Sequence, residues 1–120
     1  MFYKRIYKAE TTNFDDWNNF EEVNLYNGNT KIINSITPFI NIDNNIYELY
    51  CSNKINEEFN TIKYFTSNDG INFNYVKSLY KNTDGLYNAY SPCLMNISNN
   101  KRKLFYTIIN SSNNEIIVSL

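Results

Sequence analysis

The 120-residue sequence predicts an all-β protein built from antiparallel strands. Segments of strand-like composition are separated by turns rich in Asn, Asp and Gly, as in residues 66–73, "TSNDGINF". No window has the 3.6-residue apolar period of an amphipathic helix. Aromatic residues make up 17% of the chain, and Tyr and Phe suit half-buried strands. Together these features favour β-meanders over any helical fold.

An internal repeat of about 54 residues groups these strands into units. Pro38 and Pro92 are 54 residues apart, and Leu49 and Leu104 are 55 residues apart. A unit of this length with four short strands is typical of a propeller blade rather than a helical solenoid repeat. Further matches are Ile6 with Ile62, Trp17 with Phe73, and Leu25 with Leu79.

The central unit contains four predicted strands. The first covers residues 35–42, with Pro38 near its start, where a missing N–H is tolerated. The second covers 46–52 after an Asp-Asn-Asn turn, the third 61–67, and the fourth 73–80 after the Asn-Asp-Gly turn. Four consecutive strands joined in this way predict one complete antiparallel blade over residues 35–80.

The flanking segments predict incomplete blades. Residues 3–10 ("YKRIYKAE") and 19–26 ("NFEEVNLY") correspond to the third and fourth strands of a preceding blade, so residues 1–34 are its end. Residues 81–120 form most of a further blade and finish on the apolar strand "EIIVSL". Because terminal repeats normally carry polar caps, we expect a partial propeller of about two blades.

The repeated residues resemble the blades of five-bladed propeller glycosidases of the arabinanase, xylosidase, invertase and levansucrase type. That resemblance implies about two of five blades and a carbohydrate-related function. It is specific for blade architecture and only weakly specific for activity. The residues that carry it are Ser91, Pro92, Leu104, Tyr106, Ile62, Ser67, Asp69, Gly70 and Phe73.

The "SNDG" turn is interpreted as structural. Asp69 is expected to accept backbone hydrogen bonds, Gly70 to supply a positive φ, and Phe73 to pack back on the blade. Trp17 is expected to take the part of Phe73 in the earlier copy. There Asn13 and Phe14 replace Asp-Gly, so the first turn departs from the pattern.

The resemblance implies hydrolysis by paired carboxylates that precede the inner-strand prolines. The matching positions here are Ile36, Thr37, Tyr90 and Ser91, and none is acidic. Asp84 is the one carboxylate that is a candidate for a channel-facing position, and a turn role before Gly85 is favoured for it. We therefore assign no catalytic residue.

Four residues near the second inner proline form a hypothetical carbohydrate-binding site: Tyr87, Asn88, Tyr90 and Ser91. Aromatic faces stack on sugar rings, and Asn and Ser hydrogen-bond to hydroxyls. Packing between blades is the alternative role for each Tyr.

Two functions remain open. The chain is either a fragment of a glycosidase-like or glycan-modifying propeller that is inactive alone, or a non-catalytic carbohydrate-binding or interaction module that completes its ring by oligomerising. The expected partner is a glycan, together with further copies or missing blades of the same protein. Additional repeat units beside the 120 residues, with an acidic residue before an inner-strand Pro, would favour the first function.

Composition excludes several classes. The chain has no His, which removes His-based nucleophile pairs and His-ligated zinc, and we predict no cofactor and no metal. A net charge of −1 does not favour nucleic acid or membrane as partner. Without a long apolar N-terminal run, a cytoplasmic location is expected. Cys51 and Cys93 lie in apolar strands and are predicted to be buried free thiols.

Overall fold

The computed structural model of the chain describes residues 4–55, 60–79, 87–110 and 115–119. The side chains of Tyr87, Asn110 and residues 115–119 are not described. These segments are all-β, as the sequence predicts, and no helix occurs among them. The described segments therefore contain no helix that is long and apolar enough to cross a membrane.

Eleven strands are described. They are β1 (Tyr7–Glu10), β2 (Asn18–Glu22), β3 (Asn24–Asn27), β4 (Thr30–Ile32), β5 (Ile36–Asp43), β6 (Ile46–Asn53), β7 (Thr61–Ser67), β8 (Asn72–Ser78), β9 (Tyr87–Ser98), β10 (Lys101–Asn110) and β11 (Glu115–Ser119). They form a two-stranded sheet β1-β2, a six-stranded sheet β4-β3-β8-β7-β6-β5 and a three-stranded sheet β11-β10-β9.

The central meander β5–β8 is antiparallel throughout. Its strands coincide with the four predicted for residues 35–80 to within two residues at every end. The β5–β6 hairpin closes with Asn44 at φ 50° and Asn45 at φ 63°. Two left-handed residues in a two-residue loop match the right-handed twist of the strands, and Asn tolerates that conformation well. The local turn chemistry thus fixes the register of this hairpin.

The strand predicted over 19–26 is instead divided in two. β2 pairs with β1, whereas β3 pairs in parallel with β8, the outer strand of the central meander. Leu25 of β3 lies opposite Phe73, and both side chains are buried. The backbone N–H of Asn24 donates to Ile71 O at 2.8 Å. The parallel pairing of β3 with β8, which the sequence did not predict, therefore places buried Leu25 beside buried Phe73.

The six-stranded sheet has one apolar core on each face. Along β6 the side chains alternate, so Leu49 and Cys51 enter one core and Tyr50 enters the other. The first core contains Ile6, Val23, Leu25, Leu49, Cys51, Phe65 and Phe73. The second core contains Tyr50, Ile62, Ala89, Leu104, Tyr106 and Ile108. The sheet is thus covered on one face by Ile6 and Val23, which lie just outside β1 and β2, and on the other face by β9–β10.

The internal repeat also appears in the hydrogen bonds. Val23 N–H donates to Ile6 O at 2.9 Å, and Leu79 N–H donates to Ile62 O at 2.9 Å. Both residues of the second bond lie 56 positions after those of the first. The same bond therefore joins the residue before β1 to the residue after β2, and a residue of β7 to the residue after β8.

The "SNDG" turn is built by two side chains that accept backbone hydrogen bonds. Ser67 Oγ accepts from the N–H groups of Asp69 and Gly70 at 3.2 and 2.9 Å. Asp69 Oδ1 accepts from the N–H groups of Asn72 and Ile71 at 2.8 and 2.9 Å. These bonds, the one from Asn72 first, hold the pKa of Asp69 well below its ordinary value. The carboxylate of Asp69 therefore serves as a hydrogen-bond acceptor that holds the turn together.

The first copy of this turn has the same geometry despite its different sequence. Thr11 Oγ1 takes the place of Ser67 and accepts from Asn13 and Phe14 N–H at 3.3 and 2.9 Å. Asn13 Oδ1 accepts two backbone N–H groups at 2.9 Å each, from the residues that match Ile71 and Asn72. Phe14 has φ 66°, where Gly70 has φ 74°. An amide oxygen thus replaces the carboxylate, and Phe14 adopts a glycine-like conformation.

Two predicted burials are wrong. Trp17 is 50% exposed, whereas its counterpart Phe73 is fully buried, because Phe73 lies opposite Leu25 of the neighbouring strand β3 and no described strand pairs in that way beside Trp17 and β2. Cys93 is exposed, because alternation along β9 turns it away from the second core that Leu94 packs against. Cys51 is buried as predicted, and that burial raises the pKa of its thiol to about 12.

Candidate functional site

The first strand of each meander carries a β-bulge at a dipeptide in which Thr or Ser precedes Pro. Thr37 and Pro38 of β5 together oppose one residue of β6, and Ser91 and Pro92 of β9 together oppose one residue of β10. Thr37 has φ 53° and Ser91 has φ 54°. A positive φ is unusual for a β-branched residue and is typical of strained positions near functional sites.

The two bulges contact each other. The backbone N–H of Ser91 donates to Thr37 Oγ1 at 3.0 Å. This bond joins equivalent positions of consecutive units, 54 residues apart. The hydroxyl of Thr37 therefore stabilises the junction between consecutive units. It supplies no proton donor of carboxylic type.

Two asparagines make the same contact at successive junctions between units. Asn34 Oδ1 accepts the backbone N–H of Lys4 at 3.0 Å, and Asn88 Oδ1 accepts the backbone N–H of Asn60 at 2.8 Å. The two contacts are equivalent, since donors and acceptors both recur one repeat later. Asn88, predicted as a sugar ligand, thus has a structural contact between units. Its repeat spacing from Asn34 was the signal that could have revealed this.

A cleft of about 580 Å³ lies beside this junction. We call it the Tyr90 cleft, and its lining residues are Lys4, Ile33, Asn34, Ile36, Asn53, Lys54, Asn60 and Tyr90. Asn60 Nδ2 donates to Tyr90 Oη at 3.2 Å, so the phenol oxygen acts as acceptor in that bond. The hydroxyl hydrogen of Tyr90 is then available to another acceptor.

The predicted site residues are only partly brought together. Tyr90 lines the cleft, and Asn88 lies next to it through Asn60. Ser91 is exposed at the bulge and is not among the lining residues. Tyr87 begins β9, but its side chain lies outside what the structure describes. Asp84 also lies outside the described residues.

Several lining residues were not predicted. Asn34, Asn53 and Asn60 come from three separate segments that only the fold joins. Asn53 Nδ2 is oriented by donating to Ser35 Oγ at 2.9 Å and to Ile33 O at 3.0 Å. Lys4 and Lys54 supply the positive charge of the cleft, and the lining contains no acidic residue among those described. The described surface of the cleft is therefore rich in hydrogen-bond donors.

An ion-pair network joins the two meanders elsewhere. It consists of Asp43, Glu48 and Arg102. Arg102 Nη1 donates to both oxygens of Glu48 at 2.8 and 3.0 Å, and Arg102 Nη2 donates to Asp43 Oδ2 at 2.6 Å. The Glu48 side chain is only 8% exposed. Arg102 thus bridges the two carboxylates through different nitrogens and connects β6 to β10 over 54 residues of sequence.

Glu48 is held in its ionised form. Burial by itself raises the pKa of Glu48, but hydrogen bonds from Tyr64, Asn41 and Arg102 outweigh it and leave the pKa below its ordinary value. Tyr64 Oη donates to Glu48 at 2.6 Å and Asn41 Nδ2 donates at 2.8 Å. Burial and this carboxylate raise the pKa of Tyr64. A general acid needs a raised pKa, so Glu48 is a structural anion.

Comparisons with known proteins identify no relative. No protein-family model matches the chain, and no curated protein or solved structure is significantly similar to it. Within the described residues, no three His, Cys, Asp or Glu side chains form a group that could hold a metal ion. The geometry of the Tyr90 cleft and of the repeated junction is therefore the basis for a functional conclusion.

Proposed function

We propose that the meanders β5–β8 and β9–β11 are consecutive blades of a β-propeller related to the five-bladed glycosidases. The support is the repetition of tertiary contacts. The bulges at Thr37 and Ser91, and the junction bonds of Asn34 and Asn88, recur at the repeat spacing. Packing of one sheet between two neighbours, with a core on each face, is also what stacked blades require.

On this architecture the proposed function is carbohydrate binding at the Tyr90 cleft. The observation that carries it is the position of Tyr90 beside the paired bulges, in a polar cleft of about 580 Å³. Small-molecule sites commonly combine an aromatic wall with a few fixed polar groups. Tyr90 offers a ring and a donor hydroxyl, and Asn53 and Asn60 offer amide groups held by hydrogen bonds.

The described residues support binding rather than hydrolysis. Glycoside hydrolysis requires two carboxyl groups, one of them with a raised pKa. The inner-strand positions Ile36, Thr37, Tyr90 and Ser91 supply no carboxyl group, and Glu48 is already occupied by Arg102. In a glycosidase-like ring, carboxylates from other parts of the protein would have to perform the chemistry.

The test is binding of the 120-residue chain to a broad glycan array. Tyr90→Ala should lose most of the signal, and Tyr90→Phe should lose only the part that depends on the hydroxyl. Trp17→Ala is the matched control, because Trp17 is half-exposed and lies outside the cleft. Circular dichroism verifies the fold of each variant. Unchanged binding of Tyr90→Ala to every glycan, or no glycan bound by the wild type, would contradict the proposal.

A second candidate function is interaction with further copies of the same chain. It is favoured by two exposed apolar patches on the outer faces of the described meanders. The β5 patch comprises Ile40 and Ile42, and the β9 patch comprises Met95 and Ile97. Exposed apolar strand faces commonly mark interaction surfaces.

A further inference from the structure

The Tyr90 cleft has two lysines without an ion-pair partner in the described part of the chain. Lys4 precedes β1 and Lys54 follows β6, and both side chains are exposed. Two lysines elsewhere in the molecule, by contrast, are paired with carboxylates: Lys8 Nζ lies 3.2 Å from Glu10 and Lys31 Nζ lies 3.5 Å from Glu22. The described lining of the cleft therefore carries two positive charges in a chain whose net charge is −1.

The uncharged polar groups of the cleft reinforce this preference for an anion. Asn60 Nδ2 already donates to Tyr90 Oη, which leaves the phenol hydrogen to donate outward. Asn34 Oδ1 accepts the backbone N–H of Lys4 and so fixes the backbone from which that side chain extends. A ligand here meets ammonium and hydroxyl donors, and no carboxylate among the described lining residues.

We propose that the Tyr90 cleft binds an acidic saccharide, meaning a sugar that bears a carboxylate or a sulfate group. This inference rests on the proposed carbohydrate-binding function and names the class of sugar. Lys4 and Lys54 bind the anionic group, while Tyr90, Ile33 and Ile36 contact the ring. The volume of about 580 Å³ falls in the range of small-molecule sites.

The experiment measures affinity of the 120-residue chain by calorimetry for three probes. These are a hexuronic acid oligosaccharide, its carboxyl-reduced neutral counterpart, and a sulfated oligosaccharide of similar length. Two exposed ammonium contacts predict about tenfold tighter binding of the uronic acid probe than of the neutral probe. The difference should shrink as salt is added, because salt screens exposed charges. The sulfated probe distinguishes a general anion site from one that selects carboxylates.

Variants separate the cleft from the rest of the surface. Lys4→Gln combined with Lys54→Gln should abolish the preference for the acidic probes, so that acidic and neutral probes bind this variant with equal affinity. Lys101→Gln is the control, since Lys101 is exposed and lies outside the cleft. All three substitutions are at exposed positions, so the fold should be unaffected.

The outcomes distinguish the two proposals. Equal affinity for acidic and neutral probes, or a preference that survives loss of both lysines, overturns the inference and leaves carbohydrate binding intact. Failure to bind any saccharide overturns the proposed function and this inference together. An acidic preference that disappears in the double variant supports both.

Discussion

At the scale of single residues, Phe14 and Gly70 occupy the same position in two copies of one turn. Both have a positive φ, and in both copies the backbone N–H of this residue donates to a hydroxyl three residues earlier at 2.9 Å. A residue with a Cβ is disfavoured in this conformation, and glycine is not. Phe14 is also 82% exposed, so its ring contributes little burial in return.

Phe14→Gly is therefore expected to stabilise the protein. Relief of the left-handed strain contributes about 1 kcal/mol, partly offset by the greater freedom of glycine in the unfolded chain. The measurement is the free energy of unfolding from urea titration. A destabilisation would show that the exposed ring makes contacts of greater value than the strain.

Gly70→Ala is the matched substitution and should destabilise by about 1–2 kcal/mol. An added Cβ would lie 3.1 Å from the Tyr47 ring, and φ is 74°. The opposite signs of these two variants test the equivalence of the turns. Two effects of the same sign would contradict it.

At the scale of elements, the central sheet is joined to β9–β10 by apolar packing and by the ion-pair network. Tyr50 and Tyr64 stack with ring centroids 5.1 Å apart beside this network. Arg102 is about one-third exposed, whereas Glu48 is buried. Arg102, at the edge of the interface, therefore neutralises the buried carboxylate of Glu48. Removing one member of such an ion pair leaves the other charge buried without a partner, which is costly.

Arg102→Met is expected to destabilise the fold by about 2 kcal/mol, because the Glu48 carboxylate then lacks its main counter-charge. The double variant with Glu48→Gln should lose less than the sum of the single losses, with a coupling of about 1 kcal/mol. Arg102→Lys keeps the charge but lacks a second nitrogen with which to contact Asp43, and it serves as the control. Additive losses in the double-mutant cycle would show that the contact contributes nothing of its own.

The same network predicts part of the acid dependence of stability. The pKa of Glu48 in the folded protein is lower than its ordinary value of 4.5. The stabilisation of the fold by the Glu48 carboxylate is therefore complete above pH 4.5, and it is lost as the pH falls through the lower pKa of the folded protein. The difference in unfolding free energy between wild type and Glu48→Gln should shrink over this interval. A difference that is constant with pH would exclude this role.

At the scale of the whole molecule, the apolar β5 and β9 patches lie on the outer faces of adjacent meanders. Positions of β5 that match the β9 patch are Asn41 and Asp43, which lie in the interface with Arg102 or line the groove beside it. Because the units repeat, the β9 patch occupies the position that faces a neighbouring meander in the preceding unit. This supports an additional unit over β9, which a second copy could supply.

We expect a folded β species with a mass of two or three times 14.2 kDa. Light scattering gives the mass, and far-UV circular dichroism reports the fold. Met95→Lys with Ile97→Lys should lower the mass to that of one chain, whereas Asn74→Lys, exposed on β8, should not. A monodisperse, folded monomer of the wild type would contradict self-association through this patch.

Much of the fold was predictable because its signals are local. Apolar alternation and turn residues determine β5 to β8, and Asp69 with Gly70 determines the turn between β7 and β8. The repeat could be found by comparing the sequence with itself. Of the candidate site, Tyr90 was chosen from the sequence because it lies two residues before Pro92, and its binding role remains a prediction.

What the sequence by itself determined is the all-β class, the order of the central strands and the equivalence of the repeated turns. These depend on interactions between residues close in the chain. The tertiary structure alone decided that β3 joins β8 in parallel, that Trp17 and Cys93 are exposed, and that Lys4 and Lys54 meet at one cleft. Such features depend on which neighbour covers each face of a sheet, and that is fixed by packing between segments distant in sequence.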